Sequence, residues 1–194
     1  MRTNIKLFFA AIILLFAVSC TKENIKSPSA TASSADNAVA LSDSIYIGAA
    51  YGGGIIFWID TSGQHGLIAA TEDQGTASWY NGTFVTTGAT SSALGTGSKN
   101  TRKIIKVQGR SGDYAANLCR KYRGGGFIDW FLPSRNEIKE LYKQKTIVGG
   151  FVADRYWSST EFNTNKAFVE YFDVGKPNQI LKDAVSYVRA VRLF

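Results

Sequence analysis

The sequence predicts an α+β domain over residues 45–194, built as an antiparallel sheet with two to three helices grouped upon it. Three observations carry that expectation. Two β-branched and aromatic runs flank the turn cluster Thr61-Ser62-Gly63-Gln64 near the start of the domain. Helical patterns, with apolar residues three and four apart, follow between Asn100 and Tyr142. From Arg155 to the C-terminus the pattern turns to short β-rich segments, a strand meander.

The first element is an N-terminal hairpin. Ile55-Ile56-Phe57-Trp58-Ile59 and Leu67-Ile68-Ala69-Ala70 are its arms, and Gly52-Gly53-Gly54 before it permits a bulge or a close backbone approach. Residues 72–99 are rich in Gly, Ser and Thr and read as a long loop with one or two short strands, a length that marks functional or mobile segments. Trp79-Tyr80 stands in it without apolar periodicity, either to fold inward as an anchor or to present aromatic faces to a sugar ring.

Asn100 is placed to cap a helix through Ile104, Ile105 and Val107, and Ser111 a second that reaches Tyr122. Tyr114, Ala115, Leu118, Cys119 and Tyr122 form the apolar stripe of the second, so Cys119 reads as a small buried hydrophobe. Three glycines, Gly124 to Gly126, stop it. Asp129-Trp130-Phe131-Leu132-Pro133 then leads to Ser134 and Glu137, an S-x-x-E capping box at the head of a third helix with Ile138, Leu141 and Tyr142 on its buried face. The last strands are expected at 155–160, 167–172 and 185–193, the first two joined as a hairpin by Asn163-Thr164-Asn165.

The segment before the domain carries different signals. Arg2 and Lys6 precede an apolar run from Leu7 to Val18, followed by Ser19-Cys20, which reads as a secretory signal over 1–19. The run is shorter than the roughly 20 residues that span a bilayer. Ala17-Val18-Ser19-Cys20 resembles a bacterial lipobox, with Ala where Leu is commoner. Cys20 is then the lipidated first residue, and several acyl chains on it anchor stably to a membrane. Residues 20–44 are too polar to bury surface against their ordering entropy and read as a flexible tether. Thr21, rather than Asp, after the cysteine resembles the signal for outer-membrane sorting, and Lys22-Glu23 resembles tethers that accompany surface display. The expected location is the outer membrane of a bacterium, on its periplasmic or external face.

With Cys20 lipidated, Cys119 has no partner, so the domain is held by its core and not by a disulfide. About 150 residues suffice for one such core. The 22 Lys and Arg against 15 Asp and Glu give a formal charge of +7, and loss of Arg2 and Lys6 with the signal leaves +5. The excess is concentrated in Lys99, Arg102, Lys103, Lys106, Arg110, Arg120, Lys121 and Arg123, opposed in that stretch by Asp113. Such a region raises local anion concentration. Nucleic acid does not suit an exported lipoprotein, which leaves acidic polysaccharide or lipid headgroups, or a solvated helix face beside an anionic membrane.

Gly53-Gly54-Ile55-Ile56-Phe57, His65-Gly66-Leu67-Ile68-Ala69, Gly95-Thr96-Gly97 with Asn100-Thr101, Asp129-Trp130-Phe131-Leu132-Pro133-Ser134, Tyr156-Trp157-Ser158-Ser159-Thr160 and Val188-Arg189-Ala190-Val191-Arg192 occur in this order. Together they resemble the Lcl-type C-terminal domain family, long catalogued as a domain of unknown function, and the resemblance runs from about Tyr46 to Phe194. It implies a C-type-lectin-like fold; the family's namesake domain sits on a bacterial surface adhesin that binds sulfated polysaccharides. Lectins of this fold commonly hold sugar through Ca²⁺ with Glu-Pro-Asn and Trp-Asn-Asp segments. Here Glu161-Phe162-Asn163 and Tyr171-Phe172-Asp173 each lack a needed residue, and Glu161, Asn163 and Asn165 supply fewer oxygens than Ca²⁺ takes.

No catalytic constellation stands out, and no cofactor or metal is expected. His65, the one histidine, lies beside the hairpin turn and reads as a strand-end hydrogen bonder, and zinc would need more His or Cys ligands. Paired carboxylates for glycoside hydrolysis would come from Asp129, Glu137 and Glu161, but Glu137 is accounted for as a cap. Arg189 and Arg192, three apart on one strand, point to opposite faces. The inward one needs a partner, Asp129 or Glu161, which makes a structural ion pair. Trp130 and Trp157 are expected in the core.

The expected function is therefore a surface-anchored, non-catalytic module that binds polysaccharide, an acidic one. Trp79 and Tyr80 would supply a platform, and Lys99, Arg102, Lys103, Lys106 and Arg110 the charge. Asp129, Trp130, Ser134, Glu137, Trp157, Arg189 and Arg192 would be scaffold. The alternative is an envelope lipoprotein whose partner is another protein; a carbohydrate-active enzyme ranks third.

Overall fold

The computed structural model describes residues 45–194, so the signal, Cys20 and the tether lie outside the described residues. The expected hairpin forms first. β1 (Ala50–Tyr51) precedes β2 (Gly54–Ile59), and β2 pairs antiparallel with β3 (Gly66–Ala69), with a register shift between Ile56 and Trp58. Asp60 organises the turn: its carboxylate accepts from the Ser62 backbone N–H at 3.0 Å and from the Ser62 hydroxyl at 2.6 Å. The long loop contains one short strand, β4 (Thr76–Ala77).

Four helices follow. α1 (Gly97–Gln108) begins three residues before the expected cap, because Gly97 N–H is capped from another helix by Glu137 at 3.2 Å. Asn100 instead lies buried within α1, donating from Nδ2 to the Ser91 carbonyl at 2.6 Å. α2 (Ala115–Lys121) is shorter than expected and starts after Tyr114, not Ser111. The intervening loop is tied down by Asn117, whose Nδ2 donates to the carbonyls of Arg110 and Gly112. α3 (Arg135–Lys143) carries the full capping box: Ser134 Oγ accepts from Glu137 N–H at 3.3 Å, and Glu137 Oε2 accepts from Ser134 N–H at 2.7 Å. A short α4 (Lys145–Val148) was not anticipated.

The C-terminal meander departs from expectation in two ways. β5 (Arg155–Glu161) and β6 (Lys166–Tyr171) form the expected hairpin, but β6 continues into a further strand, β7 (Lys176–Leu181). Lys176-Pro177-Asn178-Gln179 has no β-like alternation, and Pro177 is tolerated because β7 is an edge strand. The single strand expected over 185–193 is two: β8 (Ser186–Tyr187) and β9 (Val191–Leu193), which belong to different sheets. Val188-Arg189-Ala190 crosses between them, anchored by Val188 N–H to Gly75 O and by Ala70 N–H to Ala190 O.

The result is a mixed α+β domain with two antiparallel-rich sheets in place of the one expected. Their orders are β1-β2-β3-β9 and β4-β8-β5-β6-β7, with one parallel pairing, β5 to β8. The last strand pairs with β3, so the two ends of the domain meet in one sheet. One buried cluster gathers Trp79, Trp130, Trp157, Ile104 and Tyr114. A second gathers Phe57, Leu67, Phe131, Leu141 and Phe172 beneath α3. Cys119 lies in the first cluster, and burial pushes its thiol well above the ordinary range, which keeps it unreactive. Among the described residues no helix is long and apolar enough to cross a membrane.

Candidate functional site

A helical stripe builds a cationic cleft. Arg102, Ile105, Lys106 and Gly109 recur at three- and four-residue spacing along and just past α1, which places them on one face. Arg110 follows, α2 supplies Arg120, and together they line a cleft of about 470 Å³. Neutral groups engage two of the three arginines: Arg102 Nη1 donates to Ser98 Oγ at 2.9 Å, and Arg120 Nε to Asn117 Oδ1 at 3.0 Å. Among the described residues, none of the four cations has a carboxylate within ion-pair distance. Four like charges around one cleft repel one another, and a bound anion relieves that repulsion. Guanidinium groups suit the task because they grip carboxylate, sulfate or phosphate with two parallel N–H donors.

The basic stretch divides in the folded chain. Lys99 is exposed on α1 and lies outside the cleft. Lys103 points the other way, donating to the Gly88 carbonyl at 2.5 Å, so it serves the long loop and not the cleft. Lys121 is paired with Asp113 at 2.8 Å. Arg123 folds onto the carbonyls of Arg120 and Tyr122, both at 2.7 Å. Of the expected charge donors, Arg102, Lys106 and Arg110 converge, and Arg120 joins them. Helical periodicity on α1 signalled the first two; the role of Arg120 depends on how α2 packs.

The aromatic platform does not survive. Trp79 is fully buried, with Nε1 donating to the Ser158 carbonyl at 2.9 Å and the Lys182 ammonium 4.7 Å from its ring centroid. Its face is therefore closed to a ligand. Tyr80 is half-buried and packs on Phe84 with ring centroids 4.7 Å apart. Nor does the long loop hang loose. Glu161 accepts from the N–H groups of Thr87 and Gly88, and Lys182 donates to Val85 O at 3.0 Å. Gln108 holds Asn81 and Thr83 in the same way.

The expected scaffold residues are buried except Asp129, which is exposed, with further corrections of detail. Both arginines of the C-terminal segment are turned inward, not one. Arg189 is fully buried, donating from Nε to Asp73 at 2.6 Å and from Nη1 to Ala70 O at 2.9 Å. Arg192 makes a two-pronged pair with Asp129 at 2.9 and 3.0 Å. They escape the opposite-faces rule because Arg189 lies on the crossing between strands. Glu161 pairs with Lys182, not with an arginine. Trp130 and Trp157 are core residues whose Nε1 groups donate to Gly124 O and Ala77 O.

His65 is exposed at the hairpin end, where its carbonyl accepts from Asp60 N–H. Among the described residues no three His, Cys, Asp or Glu side chains converge as a metal site. Glu161 and Glu137 are both occupied in structural bonds, Glu137 capping two helices at once. Among the described residues one buried carboxylate has no hydrogen-bond partner: Glu170, on β6, whose desolvation raises its affinity for a proton while the charges of Lys139 and Arg135 oppose that effect. The chain matches no protein-family model and no curated protein sequence.

Proposed function

We propose that this chain is a surface-anchored, non-catalytic binding module for acidic polysaccharide, gripped in the cleft of Arg102, Lys106, Arg110 and Arg120. The observation that carries the reading is the cleft itself, four cations with no acidic partner among the described residues. Neutral tethers orient the Arg102 and Arg120 guanidinium groups without quenching their charge. The resemblance to the Lcl-type C-terminal domain family supports the same reading. So does the return of the last strand to the first sheet, an arrangement in keeping with a C-type-lectin-like module. Lipidation at Cys20 would hold the module at the outer membrane, with the cleft presented to the polymer.

The test is equilibrium binding of the full chain to a uronic or sulfated polysaccharide and to a neutral glucan, at low and high salt. Binding to the charged polymer is expected to weaken as salt rises, because exposed charges are screened within about 10 Å at 0.1 M. The triple variant Arg102→Glu, Lys106→Glu, Arg110→Glu is expected to lose that binding. Unchanged binding by a folded triple variant would falsify the assignment.

A further inference from the structure

A second cleft stands apart from the cationic one, and none of its lining comes from the basic stretch. It measures about 520 Å³ and is lined by Tyr51, Gly52, Phe127, Arg192 and Phe194. Two glycine runs make room for it. Gly52-Gly53-Gly54 meets Gly124-Gly125-Gly126 backbone to backbone, so close that a Cβ on Gly53 would stand 2.6 Å from Gly124 O and 2.8 Å from Gly125 Cα. No side chain separates the hairpin from the segment after α2 at that point. Tyr51 and Phe194 pack edge to face at 5.3 Å, and Phe127 stacks on the Arg192 guanidinium with 3.7 Å from centroid to carbon.

The polar groups decide what such a cleft would hold. A guanidinium has five N–H donors. Arg192 uses two on Asp129 and one on the Gly52 carbonyl at 3.2 Å, which leaves one N–H on each terminal nitrogen. Asp129 is 53% exposed in its side chain, so its oxygens retain acceptor capacity. The Arg192–Asp129 pair is neutral as a unit and sets donors beside acceptors. An anion gains little there, because Asp129 already answers the charge. An apolar chain would leave the spare N–H groups of Arg192 without an acceptor. A hydroxyl both donates and accepts, and adjacent ring hydroxyls match the paired array. The flat C–H face of a pyranose with equatorial hydroxyls matches aromatic walls; Phe127 keeps 37% of its surface open.

We infer that the Tyr51–Phe127–Phe194 cleft, with Arg192 and Asp129 at its polar edge, binds a neutral pyranose ring with equatorial hydroxyls. The inference extends the reading of the domain as a polysaccharide binder, and adds a site whose affinity does not depend on ligand charge.

Calorimetric titration of the full chain with cellohexaose and with chitohexaose tests it, in parallel with a uronic polysaccharide. The neutral oligosaccharide is expected to bind equally at low and high salt. Phe127→Ala and Tyr51→Ala are each expected to weaken it by about tenfold while the uronic polymer binds as before. Arg110→Glu should do the reverse. Binding of the uronic polymer without binding of either neutral probe sinks this site and leaves the cationic one standing. Neutral binding that persists in both aromatic variants, or that falls only with Arg110→Glu, also overturns it. So does self-association that Phe127→Ala abolishes, since a second copy would then fill the cleft.

Discussion

Lys182 donates to Glu161 across 2.6 Å with both side chains withdrawn from water, and this pair clamps the long loop to the second sheet. Glu161 gathers the N–H groups of Thr87 and Gly88, while Lys182 takes the Val85 carbonyl and lies over Trp79. Each charge is therefore satisfied on several sides. Removing one partner strands the other without solvent. Glu161→Gln or Lys182→Met is expected to cost about 3–5 kcal/mol, whereas the paired replacement Glu161→Gln with Lys182→Met costs less than the two single changes summed. Urea unfolding of the three variants measures this, and additive single losses would contradict a coupled clamp.

Glu170 gives a pH signature of the opposite kind to a salt-bridged acid. Burial makes its carboxyl hold a proton more tightly in the folded state than its ordinary value of 4.5 implies. Between the ordinary value and the raised one, the folded chain binds more protons than the unfolded chain. The stability this group contributes is thus full below its unfolded value and lost as pH rises through the folded value. Glu170→Gln, which needs no proton, is expected to be more stable than the natural chain at pH 7, with the difference shrinking on acidification. Thermal melts across that range check it; a difference that stays constant with pH would count against the argument.

Gly53 and Gly125 both adopt positive φ, at 83° and 63°, and their backbones touch. A methyl group at either position meets main chain, which has no flexible end to move aside. Gly125→Ala is expected to destabilise by about 2–3 kcal/mol, from overpacking and from the left-handed conformation together. It should also splay the aromatic cleft. Gly126→Ala, with the same sign of φ at 79° but nothing near its side-chain direction, is the control and should cost about 1 kcal/mol.

Trp79 and Arg110 separate scaffold from surface. Trp79→Ala is expected to cost about 3–5 kcal/mol of stability, because a fully buried indole leaves a cavity. Arg110 is exposed without an acidic partner among the described residues, so Arg110→Glu should leave the melting temperature nearly unchanged and weaken polyanion binding. Measuring stability and binding on both variants distinguishes the roles. A Trp79 variant that melts normally but no longer binds would reinstate the loop as a ligand platform.

Local signals read well where a single element satisfied itself. The Ser134–Glu137 box and the hairpin around Asp60 are visible in short-range patterns, because the groups that complete them lie within a few residues, and the helical spacing of its apolar stripe marks Cys119 as buried. Reading failed where completion came from afar. Asn100 looked like a cap, but α1 begins three residues earlier at Gly97, whose N–H is met by Glu137, forty residues on. Lys103 looked like a surface charge and is bound to the loop it crosses. The β7 edge strand has no apolar alternation, since it is half-buried at most and is held by backbone pairing to β6.

From sequence alone the chain is determined to be an α+β domain with a hairpin first, a well-capped third helix, core tryptophans and a concentrated basic stretch. Those properties follow from periodicity, turn chemistry and composition, which act over a few residues. Only the tertiary structure decided that there are two sheets, that both C-terminal arginines are buried, and that Trp79 is core. It also decided which cations share a cleft. Burial and charge pairing depend on which segments meet in space. Glu161 was free to pair with either arginine on paper, and the packing of β5 against the loop gave it Lys182 instead.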